Sequence, residues 1–190
     1  TPYYNKPTQR GLYEHFRLIA ESCPEIPNYL YNIPGRSVIN IETETIKKLS
    51  LIKNIVGVKD ATADLTTPLD VMTNCGKNFQ QLSGEDATFL SFLISGGSGC
   101  ISVTANVVPH LSASIYNLWK VKKIKEAMDL NFKMYPINKV LFTETSPSPV
   151  KYALSRMGRC QNILRKPMVP VEKVNEKKID VTLKDLNLIR

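Results

Sequence analysis

The sequence predicts an α/β protein: the C-terminal part of a larger (β/α) architecture, followed by a helical domain. Three observations carry this reading. Apolar runs of strand length alternate with helical stretches four times over residues 29–103, the pattern of βαβ units on a parallel sheet. After Val103 the strand-like runs stop and only helical patterns follow. The chain opens on Thr1-Pro2-Tyr3-Tyr4, which reads as a loop leaving a strand that the sequence does not contain. A closed parallel barrel takes about eight strands and about 250 residues, so the 190 residues here hold only a part of one.

The elements follow in order. Residues 8–22 place Leu12, Phe16 and Ile19 at i, i+4, i+7, one face of a helix, with Thr8 as its cap after Pro7. Residues 29–31 form a short strand that ends at Pro34-Gly35. Residues 41–51 form a helix with Ile46 and Leu49 inward. The apolar run 54–58 is bounded by turn residues and reads as a buried parallel strand that delivers Lys59. A helix over 64–75 follows, capped by Asp64, then a strand over 79–83 ending at Gly84. An apolar helix over 86–94 and a short strand over 99–103 complete the alternating part.

The rest is helical, over 107–119, 122–142, 149–157 and 174–189. Pro109 suits a first helical turn, where its missing N–H does no harm. Pro136 falls inside its helix and is expected to bend it. Pro147 and Pro149 break the chain before the third helix, and Pro167 and Pro170 frame an extended link before the last. The domain boundary is placed between the α/β part, 1–121, and the helical part, 122–190.

Composition narrows the function. A net charge of +8 invites a nucleic-acid reading. The basic residues are spread over several helix faces and often sit beside acids, as in 173–178, and they do not interleave with aromatics, so no nucleic-acid partner is expected. No apolar stretch approaches the roughly 20 residues of a membrane span, and no signal segment opens the chain, so no membrane partner is expected. Cys23, Cys75, Cys100 and Cys160 are scattered, with no CxxC pair and no clustering with His15 or His110. They read as reduced thiols in a reducing cytoplasm. Without metal-ligand spacing or a glycine-rich phosphate loop, no cofactor is implied.

Lys59 carries the chemistry. A lysine at the C-terminal end of a buried strand, in a largely apolar site, is poised as a neutral amine that can attack a carbonyl and form a Schiff base. The plainer alternative is a lysine that snorkels to water. Tyr31, Lys59, Gly84 and Ile101 all fall at or near the ends of successive predicted strands, the face where barrel enzymes place their active sites.

The segments TPYYNKPTQRGLYEHF (1–16), LYNIPGR (30–36), IVGVKDAT (55–62), LSGEDAT (82–88), GGSGCISVTAN (96–106) and PSPVK (147–151) resemble, in order and nearly in spacing, the dihydrodipicolinate synthase family of the N-acetylneuraminate lyase superfamily. The resemblance covers essentially the whole chain. It implies a (β/α)₈ TIM barrel, here from the end of strand 4 through helix 8, with an appended C-terminal helical domain. It also implies condensation of pyruvate with aspartate semialdehyde on the lysine and diaminopimelate route, in homotetramers built from dimers.

By resemblance, Lys59 forms the imine with pyruvate, and the family's usual Glu after this lysine is here Asp60. Tyr31 relays protons at the imine. Tyr4 is the second relay tyrosine, reaching a neighbouring subunit's site, with Tyr3 beside the subunit contact. Arg36 grips the semialdehyde carboxylate through a planar two-point contact. Gly84 lets the backbone approach substrate, and Ile101 offers a backbone carbonyl near pyruvate or Lys59. Each residue also has a plain reading: half-buried strand tyrosine, exposed loop aromatic, surface arginine, turn glycine, core strand side chain.

The family's Gly-Thr-Thr-Gly-Glu-like loop, whose second threonine links the two tyrosines, is absent from the sequence. Two other readings therefore stand beside the synthase: an inactive remnant, and a related aldolase such as N-acetylneuraminate lyase or a keto-deoxy-sugar acid aldolase. A parallel sheet open beside residues 29–31 exposes a strand edge, so the isolated chain is expected to be poorly stable or dependent on a partner.

Overall fold

The computed structural model describes residues 1–190. The chain forms two compact units, Thr1–Ile101 and Ser102–Arg190. This division precedes the boundary placed from sequence at 121/122, because the helix Pro109–Lys120 packs on the helix that follows it.

In the first unit, α1 (Gln9–Ser22), β1 (Asn28–Asn32), α2 (Pro34–Ser37), α3 (Thr43–Leu49), β2 (Ile55–Asp60), α4 (Thr67–Cys75), β3 (Gln80–Ser83), α5 (Phe89–Ile94) and β4 (Gly99–Cys100) follow in order. The strands form one sheet in the order β1-β2-β3-β4, and every pair is parallel. Sequential order with helical crossovers is what successive βαβ units produce. β1 has β2 as its one strand neighbour in the sheet, so its outer edge is unpaired by strand, as expected from sequence.

The core lies on the helical side of the sheet. Leu12 and Ala20 of α1, Leu30 of β1, Ile46 and Leu49 of α3, Val58 of β2 and Val71 of α4 are all buried together. Each buried Leu or Ile contributes about 2 kcal/mol of hydrophobic stabilisation. Thr8 caps α1 as expected, its hydroxyl accepting from the Gly11 amide at 3.3 Å. Ile19, expected to face inward, is exposed instead, and Ala20 takes the buried position. Spacing of four from Leu12 through Phe16 to Ala20 follows the stripe that meets the sheet.

Three further boundaries differ from the sequence reading. Asp64 does not cap α4; its carboxylate accepts from the Thr66 amide at 2.8 Å and hydroxyl at 2.7 Å, closing a local turn, and the helix begins only at Thr67. Ile41 is buried ahead of α3, its amide donating at 3.1 Å to the side chain of buried Asn32. β4 stops at Cys100, and residues Thr104–Asn106 coil into a 3₁₀ turn whose Ala105 amide donates to the Ser102 hydroxyl at 2.7 Å.

The second unit contains that turn and α6 (Pro109–Lys120), α7 (Ile124–Val140), α8 (Ser148–Arg156) and α9 (Lys173–Asp185). Pro109 occupies the first turn of α6, as read from sequence, and Pro136 lies within α7 with its ring exposed. α6 packs on α7, and α9 packs on both α7 and α8. Ile115, Met134, Ile137, Leu141, Ala153, Ile179 and Leu183 are buried there. Asp180 of α9 accepts from Tyr152 at 3.2 Å and Arg156 at 2.9 Å, tying α8 to α9. No helix is long and apolar enough to cross a membrane.

Candidate active site

The sheet's two faces are chemically distinct. Leu30 and Asn32 are buried toward the helices, while Tyr29 and Tyr31, two residues apart on the alternating pleat, stand on the opposite face. On that face Lys59 is the register partner of Tyr31. Its Nζ lies 3.8 Å from the centre of the Tyr31 ring, and the side chain is half-buried. The lysine expected at the strand end is thus placed over an aromatic face near the C-terminal rim.

The rim itself is stitched by backbone hydrogen bonds. The Ala61 amide donates to the Asn32 carbonyl at 2.9 Å, the Gly84 amide to the Asp60 carbonyl at 2.6 Å, and the Ile101 amide to the Ser83 carbonyl at 2.9 Å. Each strand is therefore held to the residue just beyond its neighbour's end. The site that Lys59 points into rests on rigid backbone.

Gly84 meets the lysine directly. A Cβ placed there would lie 2.7 Å from Ala61 Cβ and 3.1 Å from Lys59 Cε. In the direction a side chain at 84 would take, Gly84 faces Ala61 and the stem of Lys59. Ile101 brings its backbone to the rim through Ser83 and leaves its side chain about half-exposed. Arg36 sits in α2, directly after β1, with its side chain exposed. Tyr4 is 84% exposed with a left-handed φ of 66°, and Tyr3 beside it is 75% exposed. The structure thus gathers Lys59, Tyr31, Gly84 and Ile101 on one rim, while Tyr4 stands out from the surface.

Three rim residues were given no place at the site by the sequence reading. Asp60 is buried, and its carboxylate accepts from the Thr62 amide at 3.1 Å and hydroxyl at 3.0 Å. Burial holds this carboxyl above its ordinary range; the Thr62 donors pull it down and the charge of Asp64 adds to the rise. The Asp-x-Thr spacing is a recognisable turn signal. Cys100 is the second: burial pushes its thiol up to about 12, reinforced by Asp86 and Glu85 and opposed by the Ser83 hydroxyl and the charge of Lys59. Ala61 is the third, and nothing in its type announced a role. No group of three or more His, Cys, Asp or Glu is arranged to hold a metal ion.

A parallel (β/α) sheet with a lysine on its second strand facing a tyrosine on its first, both near the C-terminal rim, is a segment of the (β/α) barrel class with these side chains on the face where such barrels place their active sites. The chain belongs to the dihydrodipicolinate synthetase family, whose model matches residues 1–186. It is 50% identical over 190 residues to the 4-hydroxy-tetrahydrodipicolinate synthase of Brucella abortus, covering 100% of this chain and 64% of that protein. Its backbone matches the crystal structure of dihydrodipicolinate synthase from Thermotoga maritima with a TM-score of 0.96 and 35% identity, covering 100% of this chain and 65% of that one. It matches the Acinetobacter baumannii dihydrodipicolinate synthase complexed with pyruvate with a TM-score of 0.95 and 38% identity, again covering 100% of this chain and 65% of that one. The chain therefore spans a little under two thirds of the length of these relatives.

Proposed function

We propose that this chain carries the imine-forming part of a synthase that condenses pyruvate with aspartate 4-semialdehyde to 4-hydroxy-tetrahydrodipicolinate. The observation that carries the proposal is the placement of Lys59 Nζ over Tyr31 at the strand ends. Nζ attacks the ketone carbon of pyruvate through its lone pair, and water leaves as the imine forms. The imine withdraws electrons, so the adjacent methyl gives up a proton and becomes a nucleophilic enamine carbon. That carbon then attacks the aldehyde of the second substrate.

Tyr31 is the neighbouring hydroxyl group for these proton transfers, and a phenol needs a hydrogen-bond chain to serve at neutral pH. Arg36, one turn beyond β1, supplies a planar cation for the semialdehyde carboxylate. Tyr4, 84% exposed, is presented outward, which supports a role in the site of a second subunit and assembly as a dimer of dimers. All four cysteines are free, which supports a reducing cytoplasm. Similarity to a synthase complexed with pyruvate supports the same keto acid here.

The test is covalent trapping. Incubation of the chain with pyruvate and borohydride is expected to add one reduced pyruvyl group at Lys59, read by peptide mass, and none in Lys59→Ala. Absence of the adduct refutes the proposal and leaves a non-catalytic relative.

A further inference from the structure

The stem of Lys59 runs between two strands. Tyr31 of β1 lies on one side, with its ring centre 3.8 Å from Nζ. Gly84, just past β3, lies on the other, where a Cβ would stand 3.1 Å from Lys59 Cε and 2.7 Å from Ala61 Cβ. Two carbons not bonded to each other do not approach to 2.7 Å without something moving. Neither backbone is free to move, because the Ala61 amide is held by Asn32 and the Gly84 amide by Asp60. The gap between residues 61 and 84 therefore holds one methyl group, that of Ala61.

We infer that Ala61 and Gly84 are positioning residues for Lys59: together they form a slot sized for a single methyl that keeps the lysine stem against β1 and its amine over Tyr31. Two methyls crowd the slot and push Cε aside. With none, the stem is loose and the amine wanders. Only the catalytic consequence of this arrangement rests on Lys59 being the imine-forming amine; the arrangement itself is a matter of side-chain geometry.

The test uses the full 190-residue chain. Lysines are dimethylated with ¹³C-formaldehyde and a mild hydride donor, and the Lys59 methyl signal is assigned by its loss in Lys59→Arg. The ring current of Tyr31 shifts that signal upfield, and Tyr31→Leu removes the shift and calibrates it. Gly84→Ala is expected to lose the shift, Ala61→Gly to weaken it, and the double variant Ala61→Gly/Gly84→Ala, relieved of the 2.7 Å contact but still 3.1 Å from Lys59 Cε and 3.2 Å from Ala61 Cα, to regain it in part. On separate unmethylated samples, borohydride trapping of pyruvate falls about tenfold in Gly84→Ala and recovers in part in the double variant.

A wild-type signal without the upfield shift overturns the inference, as does a shift unchanged in both single variants. If the shifts follow the pattern but the wild-type chain traps no pyruvate, the catalytic proposal fails and the positioning stands. Should Gly84→Ala fail to fold, seen as collapse of the other lysine signals, Ala61→Gly decides the matter because it adds no atom.

Discussion

Lys59 and Tyr31 are cross-strand partners on parallel neighbours, and the amine sits over the ring itself. The ring and the hydroxyl of Tyr31 can therefore be removed one at a time. Tyr31→Phe keeps the aromatic face and is expected to slow pyruvate trapping about a hundredfold through loss of the phenol. Tyr31→Leu removes the face as well and is expected to be slower still. Equal trapping rates in wild type and Tyr31→Phe, measured by time-resolved intact mass, eliminate the phenol from proton transfer.

Asn32 holds the loop behind the site. Its amide nitrogen donates to Asn40 at 2.7 Å and its oxygen accepts from the Ile41 amide at 3.1 Å, all while buried. Asn32→Ala leaves the Ile41 amide without this partner and is expected to cost about 1–3 kcal/mol, seen as a lower urea midpoint. An unchanged midpoint shows that the loop re-pairs without it.

The buried Asp60 makes a pH prediction. Its folded-state pKa is raised, so the folded protein binds this proton more tightly than the unfolded chain. Its contribution to stability is then most favourable at low pH and declines as pH rises from its unfolded toward its folded value. Asp60→Asn lacks this decline. The stability of the variant relative to wild type is expected to rise from about pH 4 upward and to level off once Asp60 is ionised in both states. Urea titrations across that range that show a constant difference, or a falling one, contradict the assignment.

Cys100 is expected to be the slow thiol. Its pKa is pushed up to about 12, and the thiolate is the reacting species, so iodoacetamide at about pH 8 should label exposed Cys23 and Cys160 well before Cys100. Peptide mapping over time gives the order. Labelling of Cys100 alongside Cys23 shows that the thiol is open to solvent.

Much of this was legible in the residues. The alternation of apolar runs located all four strands, because parallel strands buried against helices must be apolar and short. The strand end marked Lys59, and the LYNIPGR segment marked Tyr31. Their direct pairing was not legible, since it depends on a register shift between Asn28 and Tyr29 that no side chain announces. Asp64 misled because an Asp before a helical stretch can close a turn as readily as cap a helix. Ala61 was invisible for a different reason: a methyl group acquires meaning only when a second strand brings a glycine against it. Tyr4 lies on the surface of the chain, where no contact within one copy marks a role for it.

The hydrogen bonds along the strand tips constrain any guest at this site. The amides of Ala61, Gly84 and Ile101 already answer to neighbouring carbonyls, so none can greet an incoming anion. An acid held beside Lys59 would take its hydrogen bonds from side chains, or from amides other than these three.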